Sequence, residues 1–286
     1  MSVNVKYKNN SIAELTDTGT KTLKTAGKYC EADIVVENTK DAGTTITDGI
    51  IVKAFRQPDN WIQEVDYYCA NGATPNSVFS GNEYRFLAKI NYKSKITILS
   101  AGFAKGRDIL TTFPDFSYTT TIGNSAFYGC KKLGGSLLLP LCVAIGDSAF
   151  RDTTIIGINA PECSKVDSAA LRSGILKTAH LPKLAEFVAN NTFYGCSALE
   201  AVQLGSVGYS VSKVLNNDFF GCTSTNLNIT VYTTATYVDA LLANIRNGAT
   251  NATIIIKAAE ATTYNDQSFA AGDTIVTSTV ETEGTT

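Results

Sequence analysis

One phrase recurs along this chain, and it leaves little freedom in what the chain folds into. Its clearest copy is Val188-Ala189-Asn190-Asn191-Thr192-Phe193-Tyr194-Gly195-Cys196, followed by Leu199 and the alternating run Val202-Gln203-Leu204. The same words open at Ile122 and at Val214; degraded copies open at Ile145 and Val166, and a fainter one at Ile98. The anchors Phe103, Phe127, Phe150, Leu171, Phe193 and Phe219 fall 24, 23, 21, 22 and 26 residues apart. Self-similarity at a period of about 20–50 residues marks a solenoid, because one repeat cannot bury its own anchor and needs neighbouring coils as walls.

The internal order of each copy predicts a coil. An aliphatic residue points inward, a polar turn follows, and the anchor comes five places later. A tight turn is expected at Gly106, Gly129, Gly174, Gly195 and Gly221, where glycine takes a positive φ without steric cost. Next come an apolar residue (Ile109, Leu133, Ile156, Leu199) and a short strand that ends near Pro114, Pro140, Pro161 and Pro182, with Gly205 in the proline's place afterwards. Proline donates nothing to a ladder, so it belongs at the strand's end.

Ile122 to Pro140 follows almost word for word the phrase I-G-x-x-A-F-x-x-C-x-x-L-x-x-I-x-I-P. In this the chain resembles the leucine-rich repeats of the BspA type over nearly half its length. It departs at Leu171, which replaces Phe, and at Asp152-Thr153 and Ser173-Gly174, which replace Gly-Cys. The fold class expected is therefore mainly β: a BspA-type leucine-rich-repeat solenoid over residues 96–232, preceded by small β modules.

The flanks read as follows. Residues 1–43 form an N-terminal β module, with Val3, Val5 and Tyr7 alternating, a turn at Asn9-Asn10, a return through Ile12 and Leu15, strands at 20–25 and 34–36, and a linker from Asn38. Residues 44–95 form a second β unit, in which Ile50–Phe55 and Trp61–Tyr68 flank a Pro58-Asp59-Asn60 turn. Residues 233–286 form a C-terminal cap and tail. There Thr236 and Asp239 predict a capped helix with Val238, Leu241, Leu242 and Ile245 on one face, then a strand at Thr253–Lys257 and a hairpin within Ser268–Val276.

Chemistry is nearly silent. No G-x-x-x-x-G-K-[ST], G-x-G-x-x-G, H-E-x-x-H or G-x-S-x-G occurs, and His180 is the only histidine. Seven cysteines without a Cys-x-x-Cys argue against a zinc centre, and Cys130, Cys196 and Cys222 are expected as small buried hydrophobes. Cys196 with Cys222, and Cys142 with Cys163, sit on adjacent coils where a disulfide is geometrically open; the odd count and the absence of a signal core in Met1 to Tyr7 favour thiols in a reducing cytosol. Trp61, Tyr67, Tyr68 and Tyr84 suggest sugar stacking, but cementing a small sheet is the commoner role. Asp59, Glu64 and Asp66 suggest glycosidase acids, but solvated strand-edge carboxylates are commoner. The expectation is no enzyme, no cofactor and no metal. A net charge of −2 and the absence of a long apolar run exclude nucleic acid and membrane insertion as expected partners.

A second set of motifs points further. Lys6-Tyr7-Lys8, Leu23-Lys24-Thr25-Ala26-Gly27-Lys28, Asp33-Ile34-Val35-Val36 and Asp48-Gly49-Ile50-Ile51-Val52-Lys53-Ala54 precede the repeats, and Ala270-Ala271-Gly272-Asp273-Thr274 follows them. This order resembles virion proteins of tailed bacteriophages of gut bacteria. The resemblance implies a virion structural or adhesion component (tail fibre, baseplate appendage or capsid decoration), assembled in the host cytoplasm as a homo-oligomer and joined to other virion proteins through residues 1–43. The alternatives are a bacterial cell-surface BspA-like adhesin and a tail-spike polysaccharide depolymerase. The candidate binding face is the outward row of the strands before the prolines: Thr112, Leu138, Asn159, His180, Gln203 and Thr230. That row is polar and almost uncharged, which suits a host glycan or a flat protein surface.

Overall fold

The computed structural model describes residues 3–6, 12–15, 49–56, 61–69, 71–187, 189–215 and 217–279. The expected strands at 20–25 and 34–36, the linker, the Pro58–Asn60 turn, Cys30 and Val188 lie outside the described residues. Val3–Lys6 pairs antiparallel with Ile12–Leu15, the first two strands expected of the N-terminal module.

The chain belongs to the mainly β class, a solenoid of about eight turns with one short helix near its C-terminal end. Each coil contributes a strand to one or both of two parallel sheets. The longer has seven strands: Gly134–Leu138, Thr154–Asn159, Thr178–Leu181, Ala201–Leu204, Asn228–Thr233, Thr253–Ala258 and, antiparallel at the edge, Thr274–Ser278. The shorter stacks Ile98–Leu99, Thr121–Ile122, Ala144–Ile145, Lys165–Val166 and Glu186–Phe187. Pro140, Pro161 and Pro182 lie just beyond their long-sheet strands, where a missing N–H costs no ladder bond.

The core fills the space between the sheets. All six expected anchors are fully buried. Phe127 stacks on Phe150 at 5.8 Å and Phe193 on Phe219 at 5.2 Å. The glycine that follows the inward aliphatic residue is there for close approach, not for positive φ. A Cβ on Gly123 would lie 2.7 Å from the amide nitrogen of Ala101, on the backbone of the previous coil.

Register corrects the first copy. Leu99, not Ile98, stands opposite Ile122. Ala104 N–H bonds Ala126 C=O as Phe127 N–H bonds Ala149 C=O, so Ala104 occupies the anchor position and Phe103 the place before it. The aliphatic-plus-five rule lands on Phe103 because counting starts one residue early, and a one-residue slip reverses faces along a strand. Ile98 is accordingly exposed and Leu99 buried. The same slip affects two other positions: Leu110 and Ile155 are buried, while Ile156 faces out at a β-bulge and Ile109 is half-buried. In the fifth copy it is Phe187 that pairs with Val166.

The left-handed turn after the anchor is present at Gly106, Gly129, Gly195 and Gly221, and at Asp152 with φ 58°. Gly174 does not adopt it; Ser173 turns inward there and its hydroxyl donates to Thr153 C=O. A second left-handed residue precedes the first five anchor positions by two places, at Gly102, Ser125, Ser148, Ala169 and Asn191.

The coil ladder reaches beyond 96–232 on both sides. Ser77 and Phe79 donate to Ala101 and Phe103, and Phe79 is fully buried. The sheet of Gly49–Arg56, Trp61–Tyr68 and Lys89–Tyr92 adjoins this first coil, with the ring of Tyr67 edge-on to Phe79 and Phe103, both at 5.5 Å. Tyr67 and Tyr84 are buried, which withdraws them from the sugar-stacking reading.

At the other end, the helix Val238–Gly248 buries Val238, Leu241 and Ile245. Its N-cap is Tyr237 without a side-chain bond, because a 3-10 turn over Ala235–Tyr237 occupies the expected capping site. Asp239 instead accepts from the hydroxyl of Tyr264 at 2.7 Å. The tail differs too: the hairpin is Thr262–Tyr264 with Gln267–Phe269, and Thr274–Ser278 lies on the long sheet.

Candidate functional site

The outer surface of the long sheet brings the predicted row together. Leu138, Asn159, His180, Gln203 and Thr230 stand opposite one another in successive parallel strands. The ladder continues one strand further, to Ile255. At ~4.8 Å per strand the six positions span about 24 Å. A second outward row runs two residues earlier through Ser136, Gly157, Thr178, Ala201 and Asn228.

Thr112 does not join them. Residues 111–113 form no strand, and the Thr112 hydroxyl accepts from Ile90 N–H at 2.9 Å and lies 3.1 Å from Ile90 C=O. It is turned to the preceding edge, beside an open cleft of about 430 Å³ also lined by Tyr92, Lys95, Asp115 and Tyr118.

Within the row, polar groups are only partly engaged. His180 Nδ1 and Asn159 Oδ1 are 3.0 Å apart, a cross-strand pair, and Gln203 Nε2 donates to Gly205 C=O at 3.3 Å. Leu138 is exposed at one end, and His180, Gln203 and Thr230 are half-buried. An ion pair at the strand entry joins Lys177 and Glu200 across coils at 2.8 Å. The surface offers amide, imidazole and hydroxyl groups toward solvent, a set that hydrogen-bonds sugar hydroxyls or peptide edges.

The other sequence candidates lie elsewhere. Glu64 and Asp66 share the amide of Asn91, at 2.7 and 2.9 Å, and face Lys89 and Lys93; Asp59 is outside the described residues. Cys130, Cys196 and Cys222 are buried thiols that donate to carbonyls of the preceding coil, Ala104, Leu171 and Phe193. Burial pushes the thiols of Cys130, Cys163 and Cys196 up to about 12 and that of Cys142 to about 11. Thiolates are therefore suppressed at neutral pH, as expected of a packing role. No group of three metal-ligating side chains occurs among the described residues, and no described helix is long and apolar enough to cross a membrane.

Two features escaped the sequence reading. Ile255 was legible as a strand residue but carries no repeat phrase that would place it on the ladder. Asp218 is a buried carboxylate that accepts from Thr192 N–H at 3.1 Å and Leu215 N–H at 2.7 Å, and burial raises its pKa.

Comparison with known families adds one finding. The model of the BspA type leucine rich repeat region, in six copies, matches residues 53–134, 75–177, 120–244 and 164–280. The chain belongs to this family. Comparisons with curated proteins and with solved structures gave no match. A BspA-like repeat domain fits a surface or adhesion repeat protein, and the overlapping matches run through the ladder and both sheets. The spacing that defines a BspA-type repeat is thus the spacing that sets Asn159, His180 and Gln203 in line.

Proposed function

We propose that this chain is a non-enzymatic structural and adhesion protein of a bacteriophage virion, in a tail fibre, baseplate appendage or capsid decoration. Its BspA-type solenoid presents the Leu138–Thr230 ladder to a host surface glycan or protein, and residues 1–43 join it to other virion proteins. The observation that carries the binding half is the registered, weakly charged outward row on a parallel sheet. The virion half is supported by the motifs of residues 6–54 and 270–274 that accompany the repeats. Mass spectrometry of gradient-purified particles tests it. The chain should co-purify at fixed stoichiometry with capsid and tail proteins, and its recovery only in the cell-envelope fraction would contradict it.

That second outcome would favour a bacterial cell-surface adhesin. The family itself supports this reading, since BspA-like repeats fit surface proteins generally. The ladder serves either reading in the same way.

A further inference from the structure

The residue directly after each anchor position points outward, and in successive coils these residues form a row on a different edge from the sheet ladder. The row reads Lys105, Tyr128, Arg151, Arg172, Tyr194 and Phe220. Lys105 and Arg151 both lie over the ring of Tyr128, at 5.4 and 5.3 Å. Arg172 lies over Tyr194 at 4.6 Å, and Tyr194 stacks on Phe220 at 5.3 Å. The chain as a whole carries a charge of −2, so three cations on one stripe are a local concentration.

The middle of the row holds the informative feature. Arg151 turns back to Tyr128 and Arg172 forward to Tyr194, so two guanidinium groups on adjacent coils diverge. Adjacent coils lie ~4.8 Å apart, so this divergence relieves the repulsion of two like charges and leaves a gap flanked by a cation on each side. Asp152 answers only in part, with its carboxylate 3.7 Å from Arg151 Nε. That nitrogen is buried and makes no hydrogen bond. Arg172 and Lys105 have no carboxylate within ion-pair distance among the described residues.

We propose that the gap between Arg151 and Arg172 receives the carboxylate or sulfate groups of an extended acidic polysaccharide lying along this row. Guanidinium groups take such oxyanions in paired, charge-assisted hydrogen bonds. The six positions run for about 24 Å along the stack, which suits a linear polymer rather than a single small anion. Single-stranded nucleic acid is disfavoured because it binds by stacking bases on open ring faces. Here Tyr128 has a cation over it from each neighbouring coil, and Tyr194 lies between Arg172 and Phe220.

The test is isothermal titration of the full chain at low salt with polygalacturonate, heparin and neutral dextran of similar length. At least one acidic polymer should bind and dextran should not. Arg151→Gln with Arg172→Gln should weaken the acidic polymer at least about tenfold at an unchanged melting temperature, as loss of charge-assisted pairs requires. If the double variant does not fold, Arg172→Gln alone should show a smaller loss in the same direction. Lys89→Gln, which removes a cation outside both rows, should leave this affinity unchanged. The proposal is overturned if neither acidic polymer binds, if the arginine variants bind like the parent, or if an oligothymidylate binds as tightly with the same arginine dependence.

Discussion

Two rows run back to back across the six parallel strands of the seven-stranded sheet, one residue apart in sequence. Inward are Leu137, Ile158, Ala179, Val202, Ile229 and Ile254, all at most 6% exposed. Outward are Leu138, Asn159, His180, Gln203, Thr230 and Ile255. The inward row admits only apolar groups, because each must fill a space bounded by identical neighbours. The outward row has the same spacing and no such constraint, so its chemistry is free to serve a partner. The difference teaches where to look for function in a solenoid: in the row whose geometry is fixed and whose composition is not.

The largest expected effect that sharpens this contrast is alkaline. Five interior thiols have folded pKa values raised by burial above the ordinary 9.0, Cys222 most of all. A group raised in the folded state contributes stability that is intact below its unfolded pKa and is lost as pH rises through the folded value. Urea midpoints should therefore hold steady up to about pH 9 and fall steeply toward pH 11, and Cys196→Ala should weaken that fall. In the native state at pH 8, Cys69, Cys130, Cys142, Cys163, Cys196 and Cys222 should resist an aromatic disulfide reagent and react fully in denaturant.

Single anchors come next. Phe193→Ala should cost about 3–5 kcal/mol by chemical denaturation, as for a large buried aromatic. Leu99→Ala should cost about 2–5 kcal/mol, while Ile98→Ala beside it should stay within about 0.5 kcal/mol. A larger cost at 98 than at 99 would mean that the first coil keeps the register counted from Ile98.

The interior was legible in the sequence because burial repeats one chemistry at one period. Phe127, Phe150, Phe193, Phe219 and the strand-end prolines Pro140, Pro161 and Pro182 could all be placed from the sequence alone, whereas Pro114 ends no strand. Where the first coil fails, at Ile98 and Phe103, two adjacent apolar residues both satisfy the pattern, and only pairing with Ile122 and Ala126 decides between them. The outer ladder was legible for Leu138 through Thr230, because period-2 alternation carries a register once the strands are known. Thr112 was misplaced because its coil makes no strand there, and its hydroxyl found the backbone of Ile90 instead. The arginine and tyrosine row escaped notice because cations and rings are mixed along it, so no single residue type marks the position throughout.

The smallest expected effect on stability is also the most direct test of the account. Asn159→Lys, His180→Glu and Gln203→Lys together change only outward positions and set opposite charges across neighbouring strands. Their summed cost in denaturation should stay near 0.5 kcal/mol, as at other surface positions. Adsorption of particles carrying the triple variant to host cells should fall well below that of the parent. A variant that folds, assembles and adsorbs like the parent would show that the sheet ladder is not the binding surface.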